Sequence, residues 1–560
     1  MKKHFSNFLE ALNSGIKAPI IIGLTGYTGS GNSTAKSLLT SPSKIEMPGY
    51  KAIYDEISLD KISQMDERVY TKLKRYWDEY IWDNFTPIEV SKIIFAFLLY
   101  ELISGNIKDE KYAPIIKYIK DNKPKLEGIQ YFFHDNEKNQ MKVAKSLIKS
   151  YIIALKIYQS FKKSYDRKEM GKFITLLQDL GDDIRRYGTI CNEKEKKVIS
   201  ADNIYSLPRA IDRLIKAHIL LTNSEYFVID TFKNPYEIEY FKNRYSHFYL
   251  IGIMRNIKDR ENDLLNVLYK GDYDKINKRE KSEILDKSKN NLPLWITSQD
   301  IDECLKKVDM YITNYYSSNM TYEHLRFGII KLLTLINRPG CVTPSQDERC
   351  MQLAMTVRLS SGCISRQVGA LIIDKERRIV GVGWNDPPKT QIPCSLRSCD
   401  ELVNNATKEV FSKYENSPGF VNYIKTLNLK HEPFCFREEL SSYKTELLKK
   451  TIPKQAEYTR ALHAEENALF QASRNMNGSL EGSTLYTSSS TCTLCAKKSY
   501  QLGVERIVYI DEYYDIAIDQ TLKAGQKIIM VDRFSGIIGE AFNKLYTAPM
   551  PEKSMIQLNS

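Results

Sequence analysis

The stretch STLYTSSSTCTLCAKKSYQLG (483–503) reads as a short strand, STLYTS (483–488), running into a helix, CTLCAKKSYQLG (492–503). Cys492 and Cys495 stand three apart, so they share one face of the first helical turn. The positive end of a helix lowers a thiol's pKa and favours thiolate. Upstream, HAEENALFQASRN (463–475) reads as a second helix with His463 and Glu465 at its start. Two thiolates and one imidazole make three ligands for Zn²⁺ and leave a fourth position for water, the arrangement of a catalytic rather than a structural site. Bound zinc brings the pKa of water down to about 7. Glu465 is not needed as a ligand and is free to carry protons. The plainer readings of the same residues are a closed zinc site with a remote fourth ligand, or a chance C-x-x-C.

Two motifs in matching strand–helix contexts favour the catalytic reading. H-x-E…C-x-x-C resembles the signature of zinc-dependent nucleobase deaminases; Thr491 stands where that signature has proline. VGALIID (368–374) and RIVGVGW (378–384) read as a strand hairpin, and ISRQVGALIID with GVGWNDPP resembles the first hairpin of the deoxycytidylate deaminases. That resemblance covers about 350–515. It implies that Asn385 hydrogen-bonds the sugar. Arg366 falls where a phosphate contact could sit, or else is a solvated turn arginine. A polar insertion at 386–460 interrupts it and holds Cys394, Cys399, His431 and Cys435, spaced C-x₄-C…H-x₃-C. These could form a second, structural zinc site, or be scattered thiols.

Near the N-terminus, APIIIGLTG (18–26) reads as a buried parallel strand, followed by GYTGSGNST (26–34) and a helix. This fits the phosphate loop G-x-x-x-x-G-K-[ST] at Gly26, Gly31 and Ser33, but Asn32 replaces the lysine. Backbone N–H groups of such a loop bind phosphate without a lysine. Gly26, Gly29, Gly31, Asn32, Ser33 and Thr34 are therefore the candidate phosphate-binding residues. Phosphoryl transfer relies on the missing charge, so binding without transfer is the favoured reading. Lys36, one turn on, could reach back over Asn32. Strands at YFVID (226–230) and FYLIGIMRN (248–256) alternate with helical segments, which argues for an α/β parallel-sheet domain. The region resembles P-loop kinases of nucleoside monophosphates and dephospho-coenzyme A, on GYTGSGNST, LQDLGDDIRRYG and VIDTFKNPYEIEYF. The resemblance implies a nucleoside triphosphate with Mg²⁺ at the loop, an acid at Asp230 and phosphate clamps among Arg185, Arg186, Arg255 and Arg260.

The expected fold is α/β. A P-loop kinase-like domain spans 1–320, with a helical, Lys- and Tyr-rich insertion at about 41–170. A linker occupies 321–345, and a cytidine-deaminase-like α/β/α domain spans 346–560. The 560 residues carry 81 Lys+Arg against 69 Asp+Glu, a net +12 that suits an anionic ligand. No apolar run is long enough for a signal peptide or membrane span, so a cytoplasmic protein without membrane contact is expected, its ten cysteines thiols or metal ligands.

Taken together, the order of the two domains and the tail DRFSGIIGEAFNKLYTAPMPEKS (532–554) resemble the bacterial anti-phage deoxycytidylate deaminases of the AvcD/DcdV family. That resemblance implies zinc-dependent conversion of dCTP and dCMP to dUTP and dUMP, depleting the deoxycytidine nucleotide pool during infection. It also implies a regulatory P-loop domain, a small inhibitory RNA and a homo-oligomer. Two other readings remain: a deaminase of tRNA or single-stranded DNA, and an RNA-regulated toxin acting through the P-loop domain.

Overall fold

The computed structural model describes residues 19–54, 64–107, 112, 115–116, 119, 126–133, 139–166, 169–190, 199–281, 292–314, 322–404, 409–450, 452–453, 456–475, 479–512, 516–551 and 553–554. The apolar run IIIGLT forms β1 (Ile20–Thr25), buried along almost its whole length, and the glycine loop after it leads into α1 (Asn32–Leu39). β2 (Thr86–Ile88), β3 (Tyr226–Phe232), β4 (Phe248–Met254) and β5 (Met310–Thr313) complete the parallel part of a sheet ordered β5-β4-β1-β3-β2. β1 lies between β3 and β4, and Gly23 is where it can pass their rings: a Cβ there would come within 2.8 Å of both Phe232 and Phe248. β2 is a short strand that the helical reading of 41–170 missed. It is only three residues, TPI, and Pro87 fits because the strand lies at the sheet edge.

The chain divides into two units, residues 1–343 with 535–560, and residues 344–534. Two expected boundaries therefore move. The segment 321–345 is no linker: the helix Glu323–Asn337 buries Leu325, Ile329 and Leu333 in one cluster with Ile22, Val228 and Ile251 of the sheet. The tail also leaves the second unit. Ile537, Ala541 and Leu545 enter that same cluster, and Gly536–Ile537 pairs antiparallel with β5. Ala541 and Leu545, four apart, share one face of the helix Glu540–Tyr546.

The second unit has its own five-stranded sheet. β6 (Gly369–Ile373) is antiparallel to both β7 (Ile379–Trp384) and β8 (Thr484–Ser489), while β9 (Arg506–Asp511) and β10 (Met530–Arg533) run parallel to β8. Two helices, α2 (Ala464–Asn475) and α3 (Thr493–Leu502), pack beside it. α2 lies almost on the backbone of β7: a Cβ at Gly383 or Gly381 would sit 2.3 Å from the carbonyl of Ala464 or Ala468. Those glycines, with Ala464, Ala468 and Ala472 facing the sheet, fix where the start of α2 points. The insertion at 386–460 is more than a polar loop. Phe411, Phe420, Phe434 and Leu440 form a small apolar core. Buried Arg397 lies against the rings of Phe411 and Phe434 and pairs with Glu415 at 2.8 Å. Among the described residues no helix is long and apolar enough to cross a membrane.

Candidate active site

His463 precedes the first turn of α2, and Cys492 is the N-cap of α3. β8 lies between the two helices in the chain and ends at Ser489, three residues before Cys492. The His463 Nδ1 is 3.3 Å from Cys492 Sγ and 3.4 Å from Cys495 Sγ. One ligand atom from each residue lies within 4.8 Å of the others, and this is the only such His/Cys/Asp/Glu group among the described residues. Two sulfurs and an imidazole are a donor set suited to Zn²⁺.

The side chains are electrostatically poised for a cation. A hydrogen bond from the Cys495 thiol, helped by His463, holds the Cys492 thiol down to about 4 against the effect of burial. Cys495, the donor in that bond and buried, is pushed well up. The hydrogen bond to Cys492 raises His463. Without a cation Cys492 is thus the thiolate, whereas Cys495 keeps a proton that a metal would displace. Glu465 is buried, and burial raises its carboxyl. Its Oε2 is 3.9 Å from Cys495 Sγ and its Oε1 is 3.3 Å from the Thr487 hydroxyl, which donates to the Ser489 carbonyl at 2.8 Å. Thr487 was not singled out in the sequence. Its place on β8 opposite the glutamate is visible only once α2 is laid on the sheet.

Asn385 and Arg366 are neighbours, and both are engaged within the protein. The Asn385 amide donates to the Arg366 carbonyl at 2.7 Å, and its oxygen accepts from the Val368 N–H at 2.7 Å. Asn385 therefore fastens the turn leading into β6. The Arg366 guanidinium pairs with Asp511 at the end of β9, 3.2 Å away. The four insertion residues do not converge. The His431 side chain is 91% exposed and faces Asp400, whereas Cys399 is packed among Leu402, Phe420 and Phe434. A buried aromatic cluster packs this segment.

In the first unit the loop 26–34 takes a shape that glycine permits. Gly26, Gly29 and Gly31 have φ of 146°, 87° and 119°, and a Cβ on Gly31 would meet the Asn314 amide at 2.6 Å. Gly31 caps α1 without any side-chain acceptor, so the first N–H groups of the helix receive no capping side chain. Asn32 turns its amide back to the Gly26 carbonyl at 3.3 Å. Lys36 does not reach over it; it pairs with Glu89 at 2.5 Å. Asp230 is half-buried on β3 and accepts from the Val90 N–H at 2.9 Å. Arg185 is no clamp, being buried against Glu237 and Asp182 at 2.8 and 3.1 Å, and Arg186 lies 3.8 Å from the same Asp182. Arg255 and Arg260 do lie at the loop, reaching the carbonyls of Gly29 and Thr28 at 3.3 and 3.5 Å.

Comparison with known proteins bears on the second unit. Residues 344–511 match the cytidine and deoxycytidylate deaminase zinc-binding region. The deoxycytidylate deaminase of Enterobacteria phage T4 is 29% identical over 211 residues, which are 37% of this chain and 92% of that protein. The deoxycytidylate deaminase of Enterobacteria phage T2 is 30% identical over 165 residues, 29% of this chain and 78% of that one. Among solved structures, the dCMP deaminase of cyanophage S-TIM5 in complex with dCMP and dUMP is 23% identical, with a TM-score of 0.21, covering 33% of this chain and 95% of that one.

Proposed function

From a chain that belongs to the cytidine and deoxycytidylate deaminase family, and is therefore a hydrolytic deaminase, we infer an enzyme that converts deoxycytidine nucleotides, dCMP and dCTP, to their deoxyuridine counterparts. The observation that carries this reading is the convergence of His463, Cys492 and Cys495 beside the buried Glu465. His463, Cys492 and Cys495 would hold Zn²⁺, which when bound supplies a water acidic enough to attack at neutral pH.

The chain's own residues manage the protons. Glu465 takes one proton from the attacking water and gives it to N3 of cytosine as oxygen adds at C4. It then delivers the second proton to the amino nitrogen, which leaves C4 as ammonia while the carbonyl forms. Burial suits this role, because a carboxyl whose proton affinity is raised can both accept and return a proton near neutrality. The Thr487 hydroxyl, 3.3 Å from Glu465 Oε1, accepts from the carboxyl when it is protonated. Asn385 positions the turn before β6 rather than acting free of it, and any contact it makes with the sugar uses its remaining amide hydrogen.

The first unit is proposed to bind a nucleoside triphosphate, with Mg²⁺, on the loop 26–34 and to regulate the deaminase. The uncapped start of α1 and the left-handed glycines support it. The lack of a lysine at Asn32, with Lys36 turned to Glu89, argues for binding without transfer. The wider reading is anti-phage depletion of the deoxycytidine pool by a cytoplasmic homo-oligomer under control of a small inhibitory RNA. Its test is whether expression of the intact protein, but not of Glu465→Gln, lowers dCTP in infected cells.

A further inference from the structure

The helix Lys270–Glu280 ends on a residue that its position disfavours. A carboxylate at the C-terminal end of a helix faces the negative end of the dipole. Glu280 is nevertheless fully enclosed, with a side-chain exposure of 0%. It is held there by the glycine loop. Both of its oxygens accept from the Thr28 N–H, at 3.2 and 3.1 Å, and one accepts from the Thr28 hydroxyl. Lys233, just after β3, donates to the same carboxylate and also to the Thr28 hydroxyl. The Arg260 guanidinium is 3.9 Å away and lies over the Tyr27 ring at 4.6 Å.

A loop N–H, a hydroxyl, an ammonium and a guanidinium are the donors that a phosphate oxygen takes. The two cations also outnumber the one carboxylate, so the enclosed cluster carries an excess of positive charge. The helix does not depend on Glu280 to stay seated. Tyr273 and Ile276 are buried, and Arg279 reaches Asp179 at 2.5 Å.

We propose that Thr28, Lys233 and Arg260 form the seat for the terminal phosphate of a nucleotide bound on the loop, and that the Glu280 carboxylate occupies this seat until that phosphate displaces it. The proposal rests on the reading of 26–34 as a phosphate loop. It adds Lys233, which no loop pattern includes, and makes phosphate binding a competition with the protein's own anion. Occupancy of the loop then releases the end of the helix 270–280.

The test uses full-length protein, with Mg²⁺ and inorganic tripolyphosphate as a base-free probe, followed by calorimetry and hydrogen exchange. Glu280→Gln is expected to bind tripolyphosphate at least about tenfold more tightly than the wild type. Adding Lys233→Met to that variant should lose at least the same factor. Binding should protect the amides of 26–34. Equal affinity of wild type and Glu280→Gln, with 26–34 protected in both, would overturn the role of Glu280 and leave the loop reading intact. Absence of binding to either would overturn both. Should Glu280→Gln fail to fold, the wild type still decides: faster exchange at 270–280 when tripolyphosphate protects 26–34 is the expected result, and unchanged exchange there contradicts displacement.

Discussion

Two strand–loop–helix junctions in this chain look alike in sequence and differ in what the fold does with them. At β8–α3 the chemistry lies in side chains, and the fold brings Cys492, Cys495, His463 and Glu465 from separate segments to within hydrogen-bonding reach. At β1–α1 the chemistry lies in backbone N–H groups, and the fold fills the place in front of Thr28 with its own Glu280. A side-chain constellation is complete when its members meet. A backbone cradle can be perfectly shaped and still be closed by an anion from elsewhere in the chain.

The comparison breaks first at Glu465. Glu465→Gln is expected to lower kcat by about 10²–10⁴-fold, with zinc content unchanged by metal analysis. Loss of zinc together with activity would make Glu465 a ligand rather than a proton carrier. Cys492→Ser should instead lose both metal and activity, and dialysis against a chelator should do the same reversibly. Next, Gly31→Ala should abolish polyphosphate binding, since φ of 119° and the Asn314 amide 2.6 Å from a Cβ both oppose it. Zinc content should stay at its wild-type value, because the side-chain site does not draw on the loop.

A smaller effect lies in the support of the second sheet. Arg506 on β9 bonds both oxygens of Asp347 at 2.8 Å and also Asp532 at 2.6 Å. Burial works against the Asp347 carboxylate, but the Arg506 guanidinium outweighs it and holds the carboxyl below its ordinary 3.8. A depressed carboxyl gives stability that is present above 3.8 and is lost as pH falls below it. Asp347→Asn should therefore cost about 1–3 kcal/mol near neutrality and flatten the acid limb of a melting-temperature profile. The smallest expected effect is none: His431→Ala and Cys399→Ser should leave zinc at one ion per chain. Two ions in the wild type, falling to one in these variants, would restore the second site.

How far the sequence could be read follows the same division. The zinc-type cluster was legible because its residue types are scarce and their spacing is set by single helical turns. β1, β3, β4, β6 and β9 were legible because buried strands are continuous apolar runs. The tail's return to the first unit was not, since Gly536–Ile537 is a two-residue strand with no pattern of its own. Nor was the aromatic core of the insertion, whose phenylalanines are spread over 24 residues, from Phe411 to Phe434, among polar ones. Glu280 and Lys233 were invisible for a different reason. Glu280 belongs to no motif, Lys233 lies within VIDTFKNPYEIEYF but in no phosphate-loop pattern, and only the packing of a distant helix brings a carboxylate to the loop.

The account stands most directly on one assay. Purified, zinc-loaded protein and its Glu465→Gln variant would be given an equimolar mixture of dCMP, dCTP, CTP and a cytosine-containing oligonucleotide, and each component followed by chromatography. Conversion of dCMP or dCTP to the deoxyuridine form by the wild type alone is the predicted result. Change in the oligonucleotide only, or deamination that survives in Glu465→Gln, would contradict it.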